Sequence, residues 1–132
     1  FETLREAAGE LPVYMAGFQQ DARVLLSAFD GLLQVSEDRE AFGMVALEAM
    51  AARLPVLAQR APGPEFLLGE DVYYSDPDPT AIAAAIRQLQ RDVRSGKTAS
   101  RVAAARTRVE WQFSIAALAA RLDDLFFTGA MD

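Results

Sequence analysis

The stretch Ser36-Glu37-Asp38-Arg39-Glu40-Ala41-Phe42-Gly43-Met44-Val45-Ala46-Leu47-Glu48-Ala49-Met50-Ala51 decides how the rest of the chain is read. From Phe42 to Ala52 the only charge is Glu48, a composition that predicts a helix buried on most sides. An ionised carboxylate is almost never fully buried without a partner, because stripping its water costs several kcal/mol. Read alone, Glu48 is as readily the structural partner of an Arg as a ligand-binding group. The approach to the helix is crowded with acids and Ser36, and Gly43 leaves its first turn open to close contact. The backbone N–H groups of Phe42, Gly43, Met44 and Val45 are expected to point out of the helix start, where the dipole favours an anion such as a phosphate. Glu48 lies a turn further in, and its side chain tilts back toward the same mouth. Two carboxylates flanking an anion site, Glu40 and Glu48, suit neutral hydroxyls beside a phosphate. A sugar joined to a nucleotide through a diphosphate carries those groups. Phe42, Met44 and Met50 read as core or pocket wall rather than chemistry.

The string Glu40-x7-Glu48, followed by Pro55-Val56-Leu57-Ala58, resembles the E-x7-E signature of the retaining nucleotide-sugar glycosyltransferases of GT-B fold, the group 1 family. The resemblance implies that Glu40 holds hydroxyls of the donor sugar as the catalytic-site carboxylate. It implies that Glu48 holds the ribose, and that the amides of Phe42 through Val45 meet sugar and diphosphate. The loop Arg60-Ala61-Pro62-Gly63-Pro64-Glu65-Phe66 resembles the family's glycine-rich donor loop, with Gly63 and Glu65 as its matching residues and two prolines to stiffen it. Ser36 completes the candidate donor site. The fold class implied is α/β, a Rossmann-like parallel sheet with helices on both faces, the incomplete carboxyl-terminal half of a GT-B fold. Residues 1–92 would form the nucleotide-sugar-binding part and residues 93–132 the helices packing on it.

Composition bounds these readings. The 132 residues are 52% hydrophobic, enough for one core, with a net charge of −6, no Cys and no His. Disulfide, thiolate and imidazole chemistry are thereby excluded, as is an ordinary zinc site. The negative charge argues against nucleic acid as a partner. Chemistry falls to carboxylates, backbone dipoles and Arg. The family resemblance implies no metal and no cofactor beyond the donor itself, a sugar or lipid-linked acceptor, and an amino-terminal acceptor domain on the far side of a cleft. The basic loop that family members use against the leaving diphosphate is expected upstream of this sequence, so the chain alone is expected to be inactive. A cytoplasmic, soluble protein is expected, and a peripheral contact with the inner membrane face is compatible with the basic run Arg87 to Arg108, which is more simply a solvated helix face. Two other functions stay open: a nucleotide-sugar-binding module without transfer activity, and a plain α/β interaction domain in which Glu40 and Glu48 are structural.

Along the chain, residues 1–9 predict a helix closed by Gly9, and Pro12 to Phe18 a short strand ending in a turn. Asp21 is a candidate N-cap for a helix whose apolar face is Val24, Leu25, Ala28 and Phe29. Gly31 to Val35 and Pro55 to Gln59 read as strands, and Asp71 to Asp78 as a short strand and turn. Asp78-Pro79-Thr80 starts a helix that Ser95-Gly96 breaks, with further helices over 98–109 and 114–127. Trp111, Phe113, Leu118, Leu122, Leu125 and Phe126 are expected to pack on the body or on an absent domain. Since Ala forms helix better than Gly, Gly43→Ala is expected to leave the fold intact.

Overall fold

A computed structural model describes residues 2–35 and 43–128. Among these, three strands form a parallel sheet in the order of the sequence: β1 (Leu32–Gln34), β2 (Val56–Gln59) and β3 (Tyr73–Ser75). Leu33 pairs with Leu57 and Leu57 with Tyr73. Helices α1 (Glu2–Ala8), α2 (Met44–Ala51), α3 (Pro62–Leu68), α4 (Pro79–Arg94), α5 (Ala99–Phe113) and α6 (Ile115–Asp123) accompany it, with a 3-10 helix at Ala22–Ala28 and a π-helical turn at Asp124–Thr128. Side chains alternate across the sheet. Val56 and Ala58 enter one core with Ala46, Leu47, Ala49 and Met50 of α2, Leu67 and Leu68 of α3 and Ala105 of α5. Leu57 lies on the opposite face, where α4 covers β2 and β3. The sheet is thus covered on both sides, as a parallel sheet with near-continuous apolar strands requires. None of the helices described is long and apolar enough to cross a membrane.

Several expectations are met closely. Asp78 caps α4 by accepting from Ala81 N at 2.8 Å, and Pro79 occupies the first helical position, where its missing N–H costs nothing. The break at Ser95-Gly96 is a Schellman turn, with Gly96 at φ +71° and Lys97 N donating to Asp92 O at 2.9 Å. Helix α2 ends in the same turn, since Arg53 N donates to Met50 O and Leu54 N to Ala49 O. The left-handed position there is Arg53, at φ +63°, the one non-glycine residue with positive φ among those described. The turn forms without the usual glycine because Leu54 beyond it is buried and holds the chain in that path.

Three expectations are corrected and a fourth is narrowed. Pro12 to Phe18 forms no strand: Val13 N turns back to Leu11 O, and Tyr14 and Phe18 are almost fully exposed. A strand needs a neighbour to take its N–H and C=O groups, and no described strand lies beside it. Asp21 does cap the next segment, accepting from Arg23 N, but that segment is a 3-10 helix, so the apolar residues at α-helical spacing do not share a face. Leu26 is its buried anchor, while Val24 and Phe29 are exposed. The stretch Pro62 to Phe66 is not a loop but the start of α3; both prolines fall in its first turn, where no N–H is needed. Of the two placements expected for Trp111, Leu118, Leu125 and Phe126, packing on the body is not observed, since all four are exposed.

The left-handed Arg53 yields a stability prediction. A side chain in this conformation costs about 1–2 kcal/mol, part of which glycine returns through its freer unfolded chain. Arg53→Gly should therefore stabilise the fold by about 0.5–1 kcal/mol; a urea titration that shows no rise in the midpoint would mean the turn is unstrained.

Candidate ligand edge

All three strands run parallel, so their carboxyl ends lie on one edge: Gln34 and Val35, Gln59 and Arg60, Ser75 and Asp76. In open parallel sheets that edge is where ligands gather. The amino end of α2 stands there, beside Gln34. Gly43 is its N-cap, with φ +55° and ψ 32°, and among the described residues no side chain caps the helix. The carbonyl of Gly43 accepts from Ala46 and Leu47, while the N–H groups of Met44 and Val45, being first-turn positions, have no carbonyl one turn back within the helix. The Met44 and Val45 side chains are about half exposed and wall this mouth with apolar surface.

Gly43 is needed for its backbone, not for a site inside the helix. A Cβ there would lie 3.3 Å from Leu67 Cδ2 and 3.5 Å from Gln34 Nε2, in a conformation that side chains rarely adopt. Among the described residues Gln34 Oε1 is buried without a hydrogen-bond partner, an acceptor that no sequence pattern singles out. The expectation that Gly43→Ala leaves the fold intact is therefore corrected, because the residue precedes the helix rather than continuing it. We expect Gly43→Ala to destabilise by about 1–2 kcal/mol, measured by thermal or urea unfolding; an unchanged midpoint would show that the cap tolerates a side chain.

Glu48 lies one turn inside α2, half-buried, on the face that also bears Met44. Its carboxylate forms no hydrogen bond or ion pair to a described residue. Its field reaches Arg23 of the 3-10 helix. Arg23 is gripped by Asp21, with Nε donating to Oδ1 at 2.9 Å, and its pKa is raised first by that bond and then by the fields of Asp21 and Glu48. Arg23 escaped the sequence reading because its approach to Glu48 depends on the path of residues 12–31. Of the other candidates, Ser36, Glu40 and Phe42 lie outside the described residues.

On the β2–β3 side of the edge, Gly63 is exposed in the first turn of α3, and Glu65 follows it. Arg60 Nη1 donates to Glu65 Oε1 at 2.6 Å, its Nε lies 3.5 Å from Asp76 Oδ1, and its guanidinium sits over the Tyr74 ring, 5.2 Å from the centroid. Tyr74 in turn donates its hydroxyl toward the carbonyls of Gly69 and Pro64, at 2.8 and 3.2 Å. Burial, then the Glu65 charge, pushes the Tyr74 pKa up to about 12. A raised phenol pKa contributes stability that is complete below the unfolded value of about 10 and is lost as pH rises through the folded one. Unfolding midpoints should accordingly fall between pH 10 and about 12, with part of that fall absent in Tyr74→Phe, which should itself cost about 1 kcal/mol at neutral pH. Identical alkaline limbs for the two proteins would assign the fall to other groups.

The basic run resolves into neither of its sequence readings for three of its members. Arg106 Nη1 donates to Ala51 O at the end of α2, and Arg108 donates to Phe66 O and Leu67 O at the end of α3. Arg101 Nη1 donates to Glu70 O and Val72 O and stacks over Tyr73, 4.7 Å from its centroid. These guanidinium groups satisfy carbonyls left over at helix and loop ends. A groove of about 450 Å³ lined by Leu33, Ile86, Leu89 and Val93 opens between β1 and α4 near Asp30 and Gly31, at the other end of β1 from the edge described.

A parallel sheet covered on both faces, with a helix start and carboxylates at its carboxyl edge, defines a Rossmann-like α/β domain. Residues 2–92 match the family described as Glycosyl transferases group 1, over more than half of the chain. The protein belongs to that family, whose activity is sugar transfer. No curated protein matches the chain.

Proposed function

We propose that this chain supplies the donor side of a sugar transfer from a nucleotide-diphosphate sugar to a sugar or lipid-linked acceptor, with retention of configuration. The single observation that supports it most is Glu48: a carboxylate without a bonded partner among the described residues, set a turn inside a helix start at the carboxyl edge of the sheet. Ribose hydroxyls would take up that carboxylate, and the N–H groups of Met44 and Val45 would meet the diphosphate. Glu40, carried over from the motif, would hold the sugar while the acceptor hydroxyl attacks the anomeric carbon from the side the diphosphate leaves. As the C–O bond to the diphosphate breaks, negative charge grows on the phosphate, and the helix N–H groups would stabilise it. Holding the sugar in reacting geometry supplies the other part of the rate. No metal and no enzyme nucleophile enter this scheme. The acceptor domain, the basic groups facing the diphosphate, and a cytoplasmic site of action, in reach of the inner membrane face, belong to the same proposal.

A binding module without transfer activity is the second reading, favoured by one observation: most of the segment read as a donor loop is the helix α3, with Glu65 already engaged by Arg60. The two share a first test. Calorimetry of the full-length protein against UDP-, GDP- and ADP-linked sugars should detect a donor, and Glu48→Gln should weaken it by tenfold or more, since each charge-assisted bond lost contributes about 1.5–3 kcal/mol. Unaltered affinity alongside a large loss of stability would make Glu48 a structural residue. Turnover with labelled donor and a lipid or sugar acceptor then separates enzyme from module.

A further inference from the structure

We infer that Arg60 is a positioning residue of the ligand edge, holding the Glu65 carboxylate in one orientation so that its second oxygen meets a donor hydroxyl. The inference rests on the donor reading above. Arg60 is the first residue past β2, and its own N–H donates to Ser75 O at 2.7 Å, which fixes its backbone to the end of β3. The guanidinium is then constrained on three sides: by the Tyr74 face, by Asp76 and by Glu65. Tyr74 is itself tied to carbonyls at both ends of α3, the helix that carries Glu65. Ring, guanidinium and helix therefore form one assembly. Oε1 of Glu65 is taken by Arg60, and Oε2 accepts from no described residue.

Stability alone does not account for this arrangement. The Arg60 and Glu65 side chains are 52% and 40% exposed, and ion pairs so open to water contribute little to folding. Geometry is what the pair does supply. A free Glu side chain must give up several rotamers when it binds a ligand, and one already ordered does not. A planar guanidinium can stack on Tyr74 and donate sideways to a carboxylate at the same time, which a Lys ammonium cannot reproduce.

The test is a double-mutant cycle on the full-length protein, with the nucleotide sugar that wild type binds from a panel of UDP-glucose, GDP-mannose and ADP-glucose. We expect Arg60→Met to weaken binding by about three- to tenfold while the thermal midpoint moves by no more than about 2 °C, in keeping with an exposed pair. Arg60→Lys should recover only part of the loss. In a Glu65→Gln background, Arg60→Met should cost nothing further, because its effect passes through Glu65. Equal losses in both backgrounds would overturn the inference, as would Arg60→Met binding like wild type. A wild-type protein that binds no member of the panel would instead overturn the donor reading on which it stands.

Discussion

The packing of α2 between the sheet and α5 is the constraint on which the rest of the molecule depends. Ala46, Leu47, Ala49 and Met50 are buried, and they join Val56 and Ala58 of β2 and Ala105 of α5 in one core. The small residues let α5 come close, while Met50, with three rotatable bonds, fills what the alanines leave. Burying such a face contributes on the order of 25 cal/mol for each Å² of apolar surface, and it sets the angle at which the uncapped end of α2 meets the carboxyl edge of the sheet. Any ligand edge in this chain is therefore positioned by core packing rather than by the edge residues.

The ends of the elements are held by a different device. Arg106, Arg108 and Arg101 reach back from α5 to carbonyls at the ends of α2, α3 and the turn before β3. Each is a hydrogen bond from a charged donor to a carbonyl that would otherwise be left over. Gly69 shows how tight the fit is: a Cβ there would fall 2.9 Å from Arg108 Cζ. One helix thus organises the far ends of two others, leaving their amino ends free to face the edge where chemistry would occur.

That edge has two unlike halves. Around α2, among the described residues, it has a helix start without a side-chain cap, apolar walls from Met44 and Val45, and Glu48 without a bonded partner. Around α3 it is closed by the Arg60, Glu65, Asp76 and Tyr74 assembly. A carboxylate that no described residue holds suits groups brought by a ligand, and a closed half suits a wall that must keep its shape. The separation follows from β1 and β3 lying on opposite sides of β2.

Composition and spacing in the sequence determined the buried character of α2, the strands on either side of it, the Asp78-Pro79 start of α4 and its end at Gly96, because each rests on local propensity or on a period of two or 3.6 residues. They also marked Glu48, since one charge in an apolar run has few explanations. Tertiary structure decided what local rules do not contain. Whether Pro12 to Phe18 pairs depends on a neighbouring strand; whether Pro62 and Pro64 stiffen a loop or start a helix depends on where the first turn falls. Arg53 holds a left-handed turn because buried Leu54 draws the chain through it, and Arg106 and Arg108 serve as caps because α5 lies across helix ends more than forty residues away in the chain. Those outcomes are contacts between distant segments, and no periodicity in the sequence encodes them.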